Sequence, residues 1–201
     1  VQFRNVVVTP LDSSPDFAWG LQGSGSSLGD EQFGGVAADA NGNSYFAGMY
    51  RGDLTFGTNT LVGTTTRNAA FGKLDTSGKV VWLRRASSGL PHVNYGTGVA
   101  VDGSGNVFGV GTCERYITFL GAAFYPDGTG AFLAKYDSAG NEMWIRTGGT
   151  AVAADAAGNA YTAGDSSAAI TFGATTLPAV AKGYVVKYDA AGNVAWVASY
   201  G

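Results

Sequence analysis

Small apolar and β-branched residues alternate with polar ones in short runs along most of this 201-residue chain, and glycine-bearing polar clusters interrupt the runs. A period of two with breaks of this kind marks half-buried strands joined by tight turns. No stretch of a dozen residues carries an apolar 3.6 period free of glycine, so helices are not expected. The chain reads as all-β.

The same pattern recurs at fixed spacing, which constrains the fold more than any single strand does. Asp39-Ala-Asn-Gly-Asn43-Ser-Tyr45-Phe-Ala-Gly48 aligns without a gap to Asp102-Gly-Ser-Gly-Asn106-Val-Phe108-Gly-Val-Gly111 and to Asp155-Ala-Ala-Gly-Asn159-Ala-Tyr161-Thr-Ala-Gly164. Thr-Phe pairs follow each at the same offset: Thr55-Phe56, Thr118-Phe119 and Thr171-Phe172. A second block follows, running Lys73-Leu-Asp75-Thr-Ser-Gly78 to Trp82, Lys135-Tyr-Asp137-Ser-Ala-Gly140 to Trp144, and Lys187-Tyr-Asp189-Ala-Ala-Gly192 to Trp196. Leu11-Asp12 to Trp19 is a degenerate fourth copy with the same Asp-to-Trp step. Each block predicts a β-hairpin, its aspartate capping the turn and its glycine supplying the positive φ.

Two hairpins per repeat make four antiparallel strands, here called A to D, and repeats of 63 and 53 residues (Asp39 to Asp102, Asp102 to Asp155) suit β-propeller blades. The expected architecture is one repeat domain over 1–201, with blades at about 35–92, 93–149 and 150–201. An outer half-blade of two strands, C and D, occupies 1–34. In the first full blade, strand A is expected at 35–39, B at 43–48, C at about 69–75 and D at 79–84. The half-blade lacks its inner pair and propellers have four or more blades. The expectation is therefore an excised or processed segment of a longer propeller, or an obligate assembly that buries the open strand edges.

The Gly-Val-Ala-x-Asp-x-x-Gly-Asn-x-Tyr/Phe-x-x-Gly block and the Lys-Tyr/Leu-Asp-x-x-Gly-Asn/Lys-x-x-Trp block resemble the SBBP, or seven-bladed β-propeller, repeat of bacterial surface and secreted proteins. The resemblance covers residues 35 to 201. It implies a propeller fold and an extracellular or cell-surface location. The Asp-to-Trp block is also similar to the tryptophan-docking repeat of quinoprotein propellers, but its step is shorter and no quinone-site constellation accompanies it.

Asp-to-Trp distances within the repeats are 43, 42 and 41 residues, whereas the Trp-to-Asp connections are 20, 20 and 11. Length variation is therefore confined to the D–A links. The Asp-x-x-Gly turns form a regular face; the B–C and D–A links form a variable one, over 21–34, 50–67, 86–97, 112–130 and 165–182, where binding is expected.

Composition narrows the function classes. The 45% apolar content supports a packed core, and the 32 glycines, roughly twice the usual share, fit many tight turns. A net charge of −3 with no basic run disfavours nucleic acid, and no apolar run is long enough to span a bilayer as a helix. The single cysteine, Cys113, excludes an internal disulfide, and the single histidine, His92, excludes a multi-histidine metal site. Neither a metal nor a cofactor is expected.

Residues that obey the repeat are expected to be structural. Trp19, Trp82, Trp144 and Trp196 read as packing positions, and Asp39, Asp102, Asp155, Asp75, Asp137 and Asp189 as turn caps. Asp39-Ala-Asn41-Gly-Asn43 begins like a calcium loop but lacks the twelfth-position glutamate, so it reads as a turn. Lys73, Lys135 and Lys187 are expected to make salt bridges or to pack their stems on apolar surface.

Residues that break the repeat are the candidates for binding: Tyr50, Arg51, His92, Tyr95, Glu114, Arg115, Tyr116 and Tyr125. Gly25-Ser-Ser27-Leu-Gly29 matches a nucleophile elbow by letters, without the strand-then-helix context such an elbow needs. Cys113 reads as a small buried thiol, and Asp30, Glu31 and Asp53 as acidic residues close only in sequence. No catalytic residue is assigned. The reading is a non-enzymatic scaffold that binds protein, either further copies of itself or the missing blades. The alternative is a lectin-like module that stacks sugars on Tyr50, Tyr95, Tyr116 or Tyr125.

Overall fold

The computed structural model describes residues 24–25, 30–89, 91–128, 130–179 and 183–200. The half-blade expected over 1–34, Trp19 and the Gly25–Gly29 motif therefore lie largely or wholly outside the described residues. All regular structure among the described residues is β.

After the two-residue strand β1 (Ser24–Gly25), one unit is built three times. The first comprises β2 (Gln32–Ala38), β3 (Ser44–Arg51), the short hairpin β4 (Leu54–Phe56) and β5 (Asn59–Leu61), then β6 (Arg67–Leu74) and β7 (Val80–Ala86). The second runs β8 (Asn94–Val101), β9 (Val107–Cys113), β10 (Ile117–Phe119), β11 (Ala122–Phe124), β12 (Ala131–Tyr136) and β13 (Glu142–Thr147). The third runs β14 (Ala151–Ala154), β15 (Ala160–Gly164), β16 (Ile170–Phe172), β17 (Thr175–Leu177), β18 (Gly183–Tyr188) and β19 (Val194–Tyr200). The long strands form three four-stranded antiparallel sheets, ordered β2-β3-β6-β7, β8-β9-β12-β13 and β14-β15-β18-β19.

Both kinds of long hairpin close on the aspartate turn that the sequence predicts. In the β12–β13 turn, Asp137 Oδ1 accepts the amides of Ala139 and Asn141, Oδ2 accepts the Asn141 side-chain amide, and Gly140 turns the chain at φ 82°. The β2–β3 turn repeats this around Asp39, whose Oδ2 also accepts the Tyr45 hydroxyl. A carboxylate so fully engaged has little left for a cation, so this segment is a turn.

The B–C links carry an element beyond the four expected strands: each contains a three-residue hairpin, β4–β5, β10–β11 or β16–β17. The recurring Thr-Phe pair ends its first strand. The residues before and after the threonine, Leu54 and Phe56, Ile117 and Phe119, Ile170 and Phe172, are buried while the threonine is not. Period-two alternation thus continues through this link.

The second sheet lies between the other two. Tyr45, Phe71 and Trp82 of the first sheet share a core with Phe132, Ala134 and Tyr136 of the second and with Ile117 and Phe119 of the β10 strand. Phe108, Leu133 and Trp144 of the second share another with Tyr184, Val186 and Tyr188 of the third and with Ile170 and Phe172. The β10–β11 and β16–β17 hairpins therefore help fill the gap between their own sheet and the preceding one. The β4–β5 hairpin packs on the far face of the first sheet, with Phe46 and Leu74.

Candidate functional site

Two repeat positions join neighbouring sheets. The indole N–H of Trp82 donates to the Ser138 carbonyl, and Arg84 Nε donates to the Gly140 carbonyl while its guanidinium lies 5.8 Å from the Trp82 ring. The second junction repeats this: Trp144 Nε1 donates to Ala190 O at 3.3 Å, Arg146 Nε to Gly192 O at 2.8 Å, and Arg146 covers Trp144 at 5.4 Å. The turn glycine sits on the indole, because a Cβ at Gly140 would lie 2.8 Å from Trp82 and one at Gly192 2.9 Å from Trp144. Only glycine permits both the positive φ and this approach.

Trp196 occupies the same position on the third sheet, yet it is 44% exposed against 5% for Trp82 and 8% for Trp144. Ala198 stands where Arg84 and Arg146 stand. Val185, aligned with the wholly buried Phe71 and Leu133, is 39% exposed, and Tyr200 is 75% exposed. Among the described residues, nothing covers the outer face of the third sheet as the other two are covered.

Among the described residues no repeat lysine lies within salt-bridge distance of a carboxylate. Lys135 is 3% exposed, donates to Ala190 O, and lies 4.9 Å from the Phe108 ring and 5.9 Å from Trp144. Burial lowers its pKa. Lys73 and Lys187 lie over Tyr45 and Tyr161 at 5.4 and 5.2 Å. Stem packing and cation–π contact, which need no carboxylate, account for the repeated lysine.

The structure separates the binding candidates into three places. His92, Glu114, Tyr116 and Tyr125 come together: the His92 and Tyr116 rings lie 6.0 Å apart, Tyr116 and Tyr125 5.5 Å apart, and His92 Nδ1 is 3.9 Å from Glu114. The Tyr116 hydroxyl accepts the Gly89 amide and Glu114 accepts the Val93 amide, which pins this cluster to the link between the first and second sheets. Arg115 is exposed beside it. Tyr50 belongs elsewhere and corrects the surface expectation: it is wholly buried in the core on the far face of the first sheet, and its hydroxyl donates to Val62 O. Arg51 Nε donates to Thr65 O.

Tyr95 forms the third place, with two residues outside the candidate set. Arg67 donates from one guanidinium nitrogen to the Tyr95 hydroxyl at 2.8 Å and from Nε to Asp30 at 2.6 Å. The hydrogen bond to Asp30, then that to Tyr95, holds the Arg67 pKa above its ordinary value. Beside this cluster opens a cleft of about 310 Å³ lined by Gln32, Gly34, Met49, Tyr95, Gly96, Thr97 and Thr112. Glu31, next to it, has its pKa raised by partial burial. Asp53 is apart from both acidic neighbours, accepting the Gly63 amide. Gln32 and Arg67, which begin β2 and β6, and Gly34, at the β2 bulge, were not singled out, although all three fall in the links expected to carry binding; the further signal was Gly34 standing where the later repeats have Thr97 and Thr150.

Cys113 is buried and free, and burial pushes its thiol up to about 11. No group of three His, Cys, Asp or Glu suited to a metal ion occurs among the described residues. No helix among them is long and apolar enough to cross a membrane.

No family model matches the chain, and no curated protein matches it. Among solved structures, the chain is similar to a protein of unknown function from Bacteroides caccae, at 11% identity and a TM-score of 0.32, over 85% of this chain and 82% of that one.

Proposed function

We propose that this chain is a non-enzymatic, β-propeller-type scaffold of the SBBP kind, acting at the cell surface or outside the cell, which binds protein through the outer face of its third sheet. The observation that carries the reading is the twice-used junction: an Asp-x-x-Gly turn seated on a tryptophan joins first to second sheet and second to third, and Trp196 presents the same seat uncovered. An exposed row of Val185, Trp196 and Tyr200 favours association, because apolar area and an indole N–H with no hydrogen-bond partner among the described residues both gain from cover. The partner is another unit of this repeat, in a further copy or in additional blades. Native mass spectrometry of the protein from its source tests this. A particle of several chains, or a chain heavier than 20.5 kDa, supports it; a dispersed 20.5 kDa monomer sinks it.

A second reading, carbohydrate binding, is favoured by one specific observation, the cleft beside Tyr95. Tyr50 contributes nothing to it, being buried.

A further inference from the structure

The inner strands of neighbouring sheets approach each other at a β-bulge. In β8 the bulge falls between Gly96 and Gly98, leaving Thr97 outside the ladder, and in β2 between Phe33 and Gly35, leaving Gly34 outside it. A bulge re-aims the extra residue. At the second-to-third junction Thr97 uses this freedom: its hydroxyl donates to the Thr150 carbonyl at 2.8 Å and ties the two sheets together. Gly34 is the aligned residue at the first-to-second junction, and it has no side chain with which to make the same tie. A Cβ built on Gly34 would meet the Thr97 carbonyl at 3.6 Å, an ordinary contact, so sterics do not require glycine here. Its φ is not in the left-handed region either.

The consequence of the missing tie is the cleft. Its wall includes the Tyr95 ring and the buried Met49 thioether, with glycine at Gly34 and Gly96. The polar side chains that line it are neutral: the Gln32 amide and the Thr112 and Tyr95 hydroxyls, the Thr97 hydroxyl being engaged by Thr150. Arg67, whose guanidinium lies 5.7 Å from the Tyr95 ring centre, is already paired with Asp30. Neither Gln32 nor Thr112 spends its side chain on a hydrogen bond to another described residue. An aromatic ring beside several neutral donor–acceptor groups, in a space at the lower end of ligand-site volumes, suits a ligand with an apolar ring face and hydroxyls on its rim.

We infer that the cleft between the first and second sheets, opened by glycine at position 34, is a binding site for one neutral sugar residue. This rests on the carbohydrate reading and assigns it a place. Tyr95 and Met49 receive the ring, and Gln32 and Thr112 take its hydroxyls.

The discriminating variant is Gly34→Thr, which supplies the hydroxyl that Thr97 uses at the next junction and so closes the cleft while adding an inter-sheet hydrogen bond. Amide chemical shifts of the full chain would be followed during titration with methyl glycosides of glucose, galactose, mannose and xylose to tens of millimolar, with sodium glucuronate as the charged comparison. The expected result is saturable shifts at Gln32, Gly34, Tyr95, Thr97 and Thr112 with a neutral glycoside. In Gly34→Thr the affinity falls at least about tenfold while the melting temperature does not fall, and a Gln32→Ala, Thr112→Val double variant loses affinity without loss of fold. Undiminished binding by Gly34→Thr, or preference for glucuronate, overturns the inference. Saturable shifts confined to Tyr116 and Tyr125 overturn the cleft but leave the carbohydrate reading standing; no saturation by any glycoside overturns both.

Discussion

Replacing each tryptophan in turn by alanine separates seated from unseated repeat positions within one molecule. Trp82 is 5% exposed and Trp196 is 44% exposed, in the same strand position and on the same sequence step from the turn aspartate. A tryptophan buries up to about 250 Å², so the difference corresponds to roughly 100 Å² of additional cover at Trp82. At about 25 cal/mol per Å² this is about 2.5 kcal/mol, and the indole N–H bond to Ser138 O adds about 1 kcal/mol. Trp82→Ala is thus expected to cost about 3.5 kcal/mol more than Trp196→Ala, consistent with the range for large-to-small core substitutions. For a chain of this size that separates the two melting temperatures by about 10 °C. Thermal unfolding followed by circular dichroism reads it directly. Equal melting temperatures for the two variants would refute the docking argument, because the repeat position alone would then set the cost.

Gly140→Ala places a methyl group on the Trp82 indole at a residue with φ 82°, whereas Gly57, at φ 59°, has nothing within 4 Å of an added Cβ. The first change is expected to cost several kcal/mol and the second about 1–2 kcal/mol, the backbone strain alone; urea midpoints distinguish them. Hydrogen bonds from the Asn141, Asn159 and Asn193 side chains, then from backbone amides, hold Asp137, Asp155 and Asp189 below the ordinary aspartate range. Since these folded-state values lie below the unfolded ones, the stability they contribute is present above the unfolded pKa, about 3.9, and is lost as pH falls through the folded values. Melting temperatures between pH 6 and pH 2 should therefore drop at the acid end, and replacing all three aspartates by asparagine should flatten that drop; an unchanged acid slope would discount the turns. The Cys113 thiol, buried and shifted to about 11, is expected to resist an aromatic disulfide reagent at neutral pH in the folded chain and to react at once in denaturant; fast labelling of folded protein would contradict its placement.

The turns were legible because their chemistry is local. An aspartate that caps two amides and a glycine at positive φ leave a five-residue signature whatever surrounds them. Sheet order followed from spacing for the same reason. The short hairpins were half visible: the Thr-Phe pairs showed a fixed register, but three-residue strands closed by Gly57, Gly121 and Gly173 are too brief for alternation to declare itself. Burial of individual tyrosines was not legible. Tyr50 and Tyr95 both stand near the ends of strands, and the first is buried in a core that Leu54 and Phe56 of the β4–β5 hairpin form with Phe46, Ala70 and Leu74. The choice between the two lysine roles was not legible, because the sequence places aspartates nearby whereas the ring beneath Lys73 and Lys187 comes from a neighbouring strand of its own sheet.

Hydroxyl-radical footprinting of the intact native particle, with Trp82 and Trp144 as internal references, addresses the proposed interaction face itself. If the third sheet is the binding face, Trp196 oxidises as slowly as the two seated tryptophans in the particle and much faster in the isolated 201-residue chain. Equally rapid oxidation of Trp196 in both states would mean that nothing sits on that face, and the scaffold account would fail.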